Sequence, residues 1–338
     1  MTSRSSASPV VVRADLARPE SWLPLAAERL RAGGLVAFPT ETVYGLGANA
    51  LDADAVARVF AAKGRPADNP LIVHVADVSG LEQLVTRVPP LARDLAARFW
   101  PGPLTLVCDA APLLPTAVTG GLSTVAVRVP AHPVALALLR EAGVPVAAPS
   151  ANRSGRPSPT TAAHVVADLG AAVDVVVDGG PCRVGVESTV VDVRGDAPVV
   201  LREGAVTRER LGAPAADADA DLAASPGTRY RHYAPSCRVE IAPVGQGAAL
   251  AAARRSAGER VACLAGDAAP PGVVDLGRFR GADDLAARLY DALRKAEELG
   301  VDVVVVEAVP EQGLGRAVMD RLRRSAAPVG EHDPVTAS

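Results

Sequence analysis

Lysine is nearly absent from this chain. Among 35 lysines and arginines, only Lys63 and Lys295 are lysines. Aromatic residues are also scarce, with four Phe, two Trp and four Tyr, so any core must be built from Val, Leu and Ala. That scarcity counts against base-stacking platforms for nucleic acid. A net charge of −3 removes a chain-wide basic field, although a local basic groove stays open. Four cysteines (Cys108, Cys182, Cys237 and Cys263) lie far apart without metal spacing. They read as reduced thiols of a cytoplasmic protein. No apolar run approaches the roughly 18 residues of a membrane span, and the Ser-rich start lacks a signal-peptide core. Walker A, dinucleotide GxGxxG, HExxH and Ser-His-Asp signatures are missing as well.

What is present suggests about two domains for 338 residues, with apolar content of 49% for their cores. The patterning predicts helices over 22–32 (capped by Ser21), 52–62, 81–99 with a break at Pro89-Pro90, 133–142 and 162–169. Strands are predicted over 35–38, 71–75, 104–108, 125–129, 144–148, 173–177, 188–193 and 199–201. This mixture with short connections implies an α/β fold with a mixed sheet. Residues 213–224 are Ala/Asp-rich and read as linker, yet 225–235 gather two tyrosines, two arginines and a histidine. Beyond them, strands at 239–241, 261–265, 273–276 and 301–309 alternate with helices at 248–256, 282–299 and 314–325. Near-continuous Val runs in such alternation predict a small parallel α/β sandwich.

Five segments carry candidate chemistry. Pro39-Thr40-Glu41-Thr42-Val43-Tyr44-Gly45 follows a buried strand and reads as a ligand-binding strand end or a tight turn. Lys63-Gly64-Arg65-Pro66-Ala67-Asp68-Asn69-Pro70 leads to His74. Lys63 can be a helix-end cation. A lysine in so Arg-dominated a chain also points to a compact charge, and beside Arg65 it offers phosphate both a point charge and a planar fork. Arg128 interrupts an apolar strand; alternation puts it on one face with Ala126, where it either reaches solvent or clamps a carboxylate. The loop from Pro149 to Thr160 has two arginines and several hydroxyls, suiting a phosphate or a plain surface loop. Glu187-Ser188-Thr189 places hydroxyls at a strand start, and Arg202 ends another strand. Anion donors without an obvious nucleophile fit chemistry by positioning and charge neutralisation, such as nucleotidyl transfer.

Together these segments resemble the threonylcarbamoyl-AMP synthase family in its long two-domain form, over nearly the whole chain. The resemblance implies a YrdC-like twisted mixed sheet with flanking helices over residues 10–212. It implies a lid over the active site at 213–236 and a Rossmann-like accessory domain, the parallel sandwich, at 237–330. The implied reaction joins L-threonine, bicarbonate and ATP into threonylcarbamoyl-AMP and pyrophosphate. The product would feed t6A modification of tRNA through a separate transferase machinery. By the same resemblance Thr42, His74, Arg128, Ser150 and Ser188 hold L-threonine, with Arg128 on the carboxylate. Lys63, Arg65, Asn69, Thr124, Asn152, Thr160, Arg202 and Tyr233 hold ATP. Lys63 and Arg65 also offset charge on the leaving pyrophosphate. Mg²⁺ would arrive with the ATP phosphates, with no protein side chain assigned to it. The alternative is an RNA-binding YrdC-like module of weak affinity that makes no adenylate. Carbamoyl transfer in hydrogenase maturation would require zinc-finger cysteine pairs, which this sequence lacks.

Overall fold

The Val-rich segments assemble into two sheets in the computed structural model, which describes residues 8–213 and 232–327. The first sheet contains β1 (Val10–Arg13), β2 (Val36–Pro39), β3 (Tyr44–Asn49), β4 (Ile72–His74) and β5 (Leu104–Asp109). It continues with β6 (Thr124–Arg128), β7 (Val146–Ala147), β8 (Val175–Asp178), β9 (Thr189–Asp192) and β10 (Val199–Arg202). Their order is β1-β8-β2-β3-β7-β4-β6-β5-β9-β10. Parallel pairs such as β4 with β6 occur beside antiparallel pairs such as β5 with β6, so the sheet is mixed as expected. The second sheet, β11 (Arg238–Ala242), β14 (Val303–Glu307), β12 (Val261–Ala265) and β13 (Val274–Arg278), is parallel throughout.

Several local expectations change. Residues 44–49, for which the sequence suggested no strand, form β3 between β2 and β7. Its glycines allow close packing: a Cβ on Gly47 would meet Phe38 and Val146 side chains at 2.8 Å. The break expected at Pro89-Pro90 within 81–99 separates two helices, Val78–Leu84 and Pro90–Phe99, the first starting earlier than expected. Pro90 has no N–H to continue a helix but suits the first position of one. Trp22, not Ser21, precedes the helix Leu23–Arg31 and gives it no side-chain cap. Asp52 does cap Ala53–Lys63, accepting bonds from the Asp54 and Ala55 amides. β1 escaped notice because its valines adjoin a Ser-rich start; it pairs at the sheet edge with β8.

The two faces of the first sheet differ in use. Val73, Val125, Val127 and Val129 enter the main core beneath the helices. Ile72 and Ala126 lie on the opposite face, with His74 and Arg128 in register beside them. That face meets the second domain. Val43 and Val186 share a core with Leu285, Ala286, Leu289 and Tyr290 of the helix Ala282–Glu298. The approach is close: a Cβ on Gly185, which has φ 80°, would lie 2.3 Å from the Ala286 carbonyl oxygen. Of the expected lid, residues 214–231 (with Arg229, Tyr230 and Arg231) lie outside the described residues. His232 and Tyr233 are described and sit in the crevice between the domains.

Candidate active site

A cavity of about 740 Å³, its open mouth included, lies over that sheet face. One end is built from β4 and β6. His74 and Arg128 are the last residues of these parallel strands and are register partners. Arg128 is 3% exposed. Its Nε donates to Gly102 O at 3.1 Å and its Nη1 to Thr42 Oγ1 at 3.1 Å. Its Nη2 stands 2.6 Å from Glu41 Oε1, but the atoms are not aligned as a hydrogen bond. Both Glu41 oxygens and Arg128 Nη2 therefore lack a hydrogen-bond partner among the described residues. A buried guanidinium is suited to hold a carboxylate, and Arg128 is already ion-paired with that of Glu41. Thr40 and Thr42 share a 2.8 Å hydroxyl contact beside it. Burial and the Arg128 charge push the His74 pKa down to about 3, so its imidazole is neutral at physiological pH.

The other end is built around residues 149–159. Lys63 closes the helix Ala53–Lys63 and is only 4% exposed. Its Nζ donates to Ser150 O at 2.6 Å and Asn152 O at 2.5 Å. An ammonium has three donors, so one remains for the cavity. Burial, followed by the charge of Arg65, lowers the Lys63 pKa well below the ordinary lysine value. Arg65 donates to Asn69 O, Asn69 Oδ1 and Pro70 O. Asn152 donates to the carbonyls of Arg153 and Arg156, leaving its buried Oδ1 without a partner among the described residues.

Ser188 and Arg202 form the third wall. Arg202 Nη2 donates to Ser188 O at 2.9 Å and to its Oγ at 3.2 Å. Glu187 beside them accepts from Ser158 Oγ at 2.6 Å, Tyr290 OH at 2.9 Å and Arg321 Nε at 2.9 Å. Tyr233 stacks on Tyr290 with centroids 5.3 Å apart, and Arg321 lies over the Tyr233 ring at 5.5 Å. Tyr233 has φ 69°, a left-handed backbone rare for a bulky residue and sustained here by its ring contacts.

Thr42, Lys63, Arg65, His74, Arg128, Ser150, Asn152, Ser188, Arg202 and Tyr233 thus share one cavity. Asn69, Thr124 and Thr160 are buried but do not line it. Asn69 supports Arg65, Thr124 starts β6 opposite Asp109, and Thr160 faces His164. Sequence reasoning passed over Glu41, Ser158, Glu187 and His232 although each stood in a quoted motif. It also passed over Tyr290, Arg294, Glu297 and Arg321 of the second domain. The visible signal there was polar residues at positions 290, 294 and 297, the i, i+4, i+7 spacing of one helix face.

A family model described as "Telomere recombination" matches residues 28–204, and one described as "Threonylcarbamoyl-AMP synthase, C-terminal domain" matches residues 199–327. The chain belongs to the threonylcarbamoyl-AMP synthase family. The threonylcarbamoyl-AMP synthase of Pyrococcus abyssi is 46% identical over 328 residues, covering 91% of this chain and 95% of its own. That of Bacillus subtilis is 46% identical over 333 residues, 94% and 96% of the two chains. The crystal structure of P. abyssi Sua5 complexed with L-threonine superposes with TM-score 0.86 at 44% identity, covering 94% of this chain and 97% of that one. Two-domain threonylcarbamoyl-AMP synthases therefore share both sheets of this chain, not the first alone.

Proposed function

We propose that this chain condenses L-threonine, bicarbonate or its CO2, and ATP into threonylcarbamoyl-AMP and pyrophosphate. The observation that carries the reading is one cavity with the buried Arg128 guanidinium at one end and the Lys63–Asn152 loop contact at the other. The names of the relatives agree with it, as does the threonine bound to the P. abyssi protein.

Arg128 and Thr42 take the threonine carboxylate and His74 lies beside them as a neutral polar group. The amine, once deprotonated, adds to CO2 to form a carbamate. A carbamate oxygen attacks the α-phosphorus, the bond to the bridging oxygen breaks, and pyrophosphate leaves. Lys63, Arg65 and Arg202 supply positive charge along the triphosphate. Asn69, Thr124 and Thr160 act behind the wall as supports. Ser150 and Ser188 orient the reacting ends, while Tyr233 closes the site against water, which would hydrolyse the product.

Mg²⁺ fits this site as a passenger on ATP. Among the described residues no His, Cys, Asp or Glu cluster forms a metal centre, and the cavity carboxylate Glu187 is already bonded three ways. Bound through phosphates, the ion would neutralise the triphosphate. Residues 10–212 would bind the substrates, 213–236 would cover them, and 237–330 would hold that cover. The product would pass to a tRNA-modifying transferase in the cytoplasm. No helix among the described residues is long and apolar enough to cross a membrane. The inward-facing, buried donors disfavour an RNA-binding module, which needs an open basic surface. Incubation with ATP, bicarbonate and labelled threonine should yield a labelled adenylate and pyrophosphate; pyrophosphate release that ignores threonine would refute the reading.

A further inference from the structure

The loop of residues 149–159 contains three prolines and Gly155, and no helix or strand. Its shape comes from what grips it. Lys63 holds the Ser150 and Asn152 carbonyls from the first domain. Gly155, Arg156 and Pro157 are held by the linker and the second domain, and Ser158 by Glu187 of the first domain. The Ala234 amide donates to Gly155 O at 2.8 Å. Glu297 pairs with Arg156 Nη2 at 2.5 Å. Arg294 Nη2 donates to Pro157 O at 2.5 Å. Ser158 donates to Glu187, whose carboxylate Tyr290 and Arg321 hold in place.

Arg294 does more than reach one carbonyl. It is 3% exposed and pairs with both oxygens of Asp168, at 3.0 and 2.8 Å. Asp168 Oδ1 also lies 2.8 Å from Arg156 Nη1, and Arg156 lines the cavity. Asp168 is thus shared between an arginine of each domain, and its side chain is fully buried. Without Arg294, buried Asp168 would keep Arg156 as its ion-pair partner and lose the other. Pro157 O would lose its donor in the same step.

We infer that the second-domain helix Ala282–Glu298 is a working part of the nucleotide site: Arg294 is a positioning residue that, with Glu297, sets the shape of the 149–159 loop. The inference rests on the proposed binding of ATP by that loop. The threonine end, built from β4, β6 and Thr42, makes no contact with Arg294 or Glu297. Loss of the grip should therefore weaken one substrate and spare the other. A purely structural role would lower thermal stability or weaken both substrates together.

The test uses the full-length chain with Arg294→Ala, Arg294→Lys and Glu297→Gln, measuring Tm, kcat, both KM values, and binding of Mg·ATP and of threonine by calorimetry. Arg294→Ala should raise the ATP KM about tenfold, the scale of losing a charge-assisted bond, with the threonine KM within about twofold. Arg294→Lys keeps charge and one donor and should recover part of the loss. Glu297→Gln weakens the Arg156 ion pair at a position with 20% side-chain exposure and leaves an oxygen for the Ser236 amide, so it tests the inference even if Arg294→Ala fails to fold; about threefold is expected. Parallel rises in both KM values, or a lower Tm with unchanged ATP affinity, would overturn the inference. A wild-type chain that binds ATP but makes no adenylate would refute the proposed function, while the ATP affinities of the variants would still decide this one.

Discussion

Lys63 and Arg128 reach the same cavity by different routes, and each is tested differently. The Lys63 ammonium already serves two carbonyls, and burial with the Arg65 charge lowers its pKa. The protonated form attracts phosphate, so ATP affinity should be full below the lowered pKa and should fall as pH rises through it, at a pH well under the usual lysine value of 10.5. Lys63→Met should bind ATP weakly and without that alkaline decline; a wild-type affinity flat from neutral to alkaline pH would count against the charge role. Arg128→Ala removes the carboxylate clamp and strands buried Glu41. Its threonine KM should rise on the order of a hundredfold while the ATP KM changes far less. Equal effects on both substrates in steady-state kinetics would contradict the assignment. His74 was legible as a member of the Lys63 segment. Its neutral state was not, because that depends on burial beside Arg128, which strand pairing creates.

Among the elements, the contact between the 184–187 segment and the helix Ala282–Glu298 carries the domain interface. Gly185 packs against the helix backbone with a positive φ, so no side chain fits without moving one of the two. Gly185→Val should destabilise the protein by about 2 kcal/mol or more, read as a lower denaturant midpoint. Unchanged stability would mean the helix yields readily and the interface is soft. Most elements were visible in the sequence because their apolar residues keep a period of two or of 3.6. β3 was hidden because its glycines look like turn residues, and they are tolerated only since Phe38 and Val146 fill the space beside them. The proline pair at 89–90 announced the split of residues 78–99 into two helices, because proline cannot continue a helix.

At the scale of the whole molecule, the two domains share a core and a set of buried ion pairs across their boundary. Residues 1–212 expressed alone should keep threonine binding, because Thr42, His74 and Arg128 all lie within them. They should lose ATP affinity by more than the about tenfold expected for Arg294→Ala, since the grips of Ala234, Arg294 and Glu297 on residues 155–157 go at once, leaving the Asp168, Asn152 and Glu187 contacts. Calorimetry with each substrate checks this; an isolated fragment with native ATP affinity would make the second domain dispensable to the site.

Arrangement along the chain determined the α/β class, the strand that delivers Arg128 to the face opposite the main core, and the motifs that mark a phosphate and carboxylate site. These are local properties: periodicity, proline and glycine placement, and a rare lysine. Only the tertiary structure decided that Lys63 spends two donors on the Ser150 and Asn152 carbonyls, that Glu187 is held by Tyr290 and Arg321, and that Arg294 reaches Pro157 across 137 residues of chain. Such contacts depend on how one sheet face is covered. Covering is a property of two domains packed together, and no window of sequence contains both.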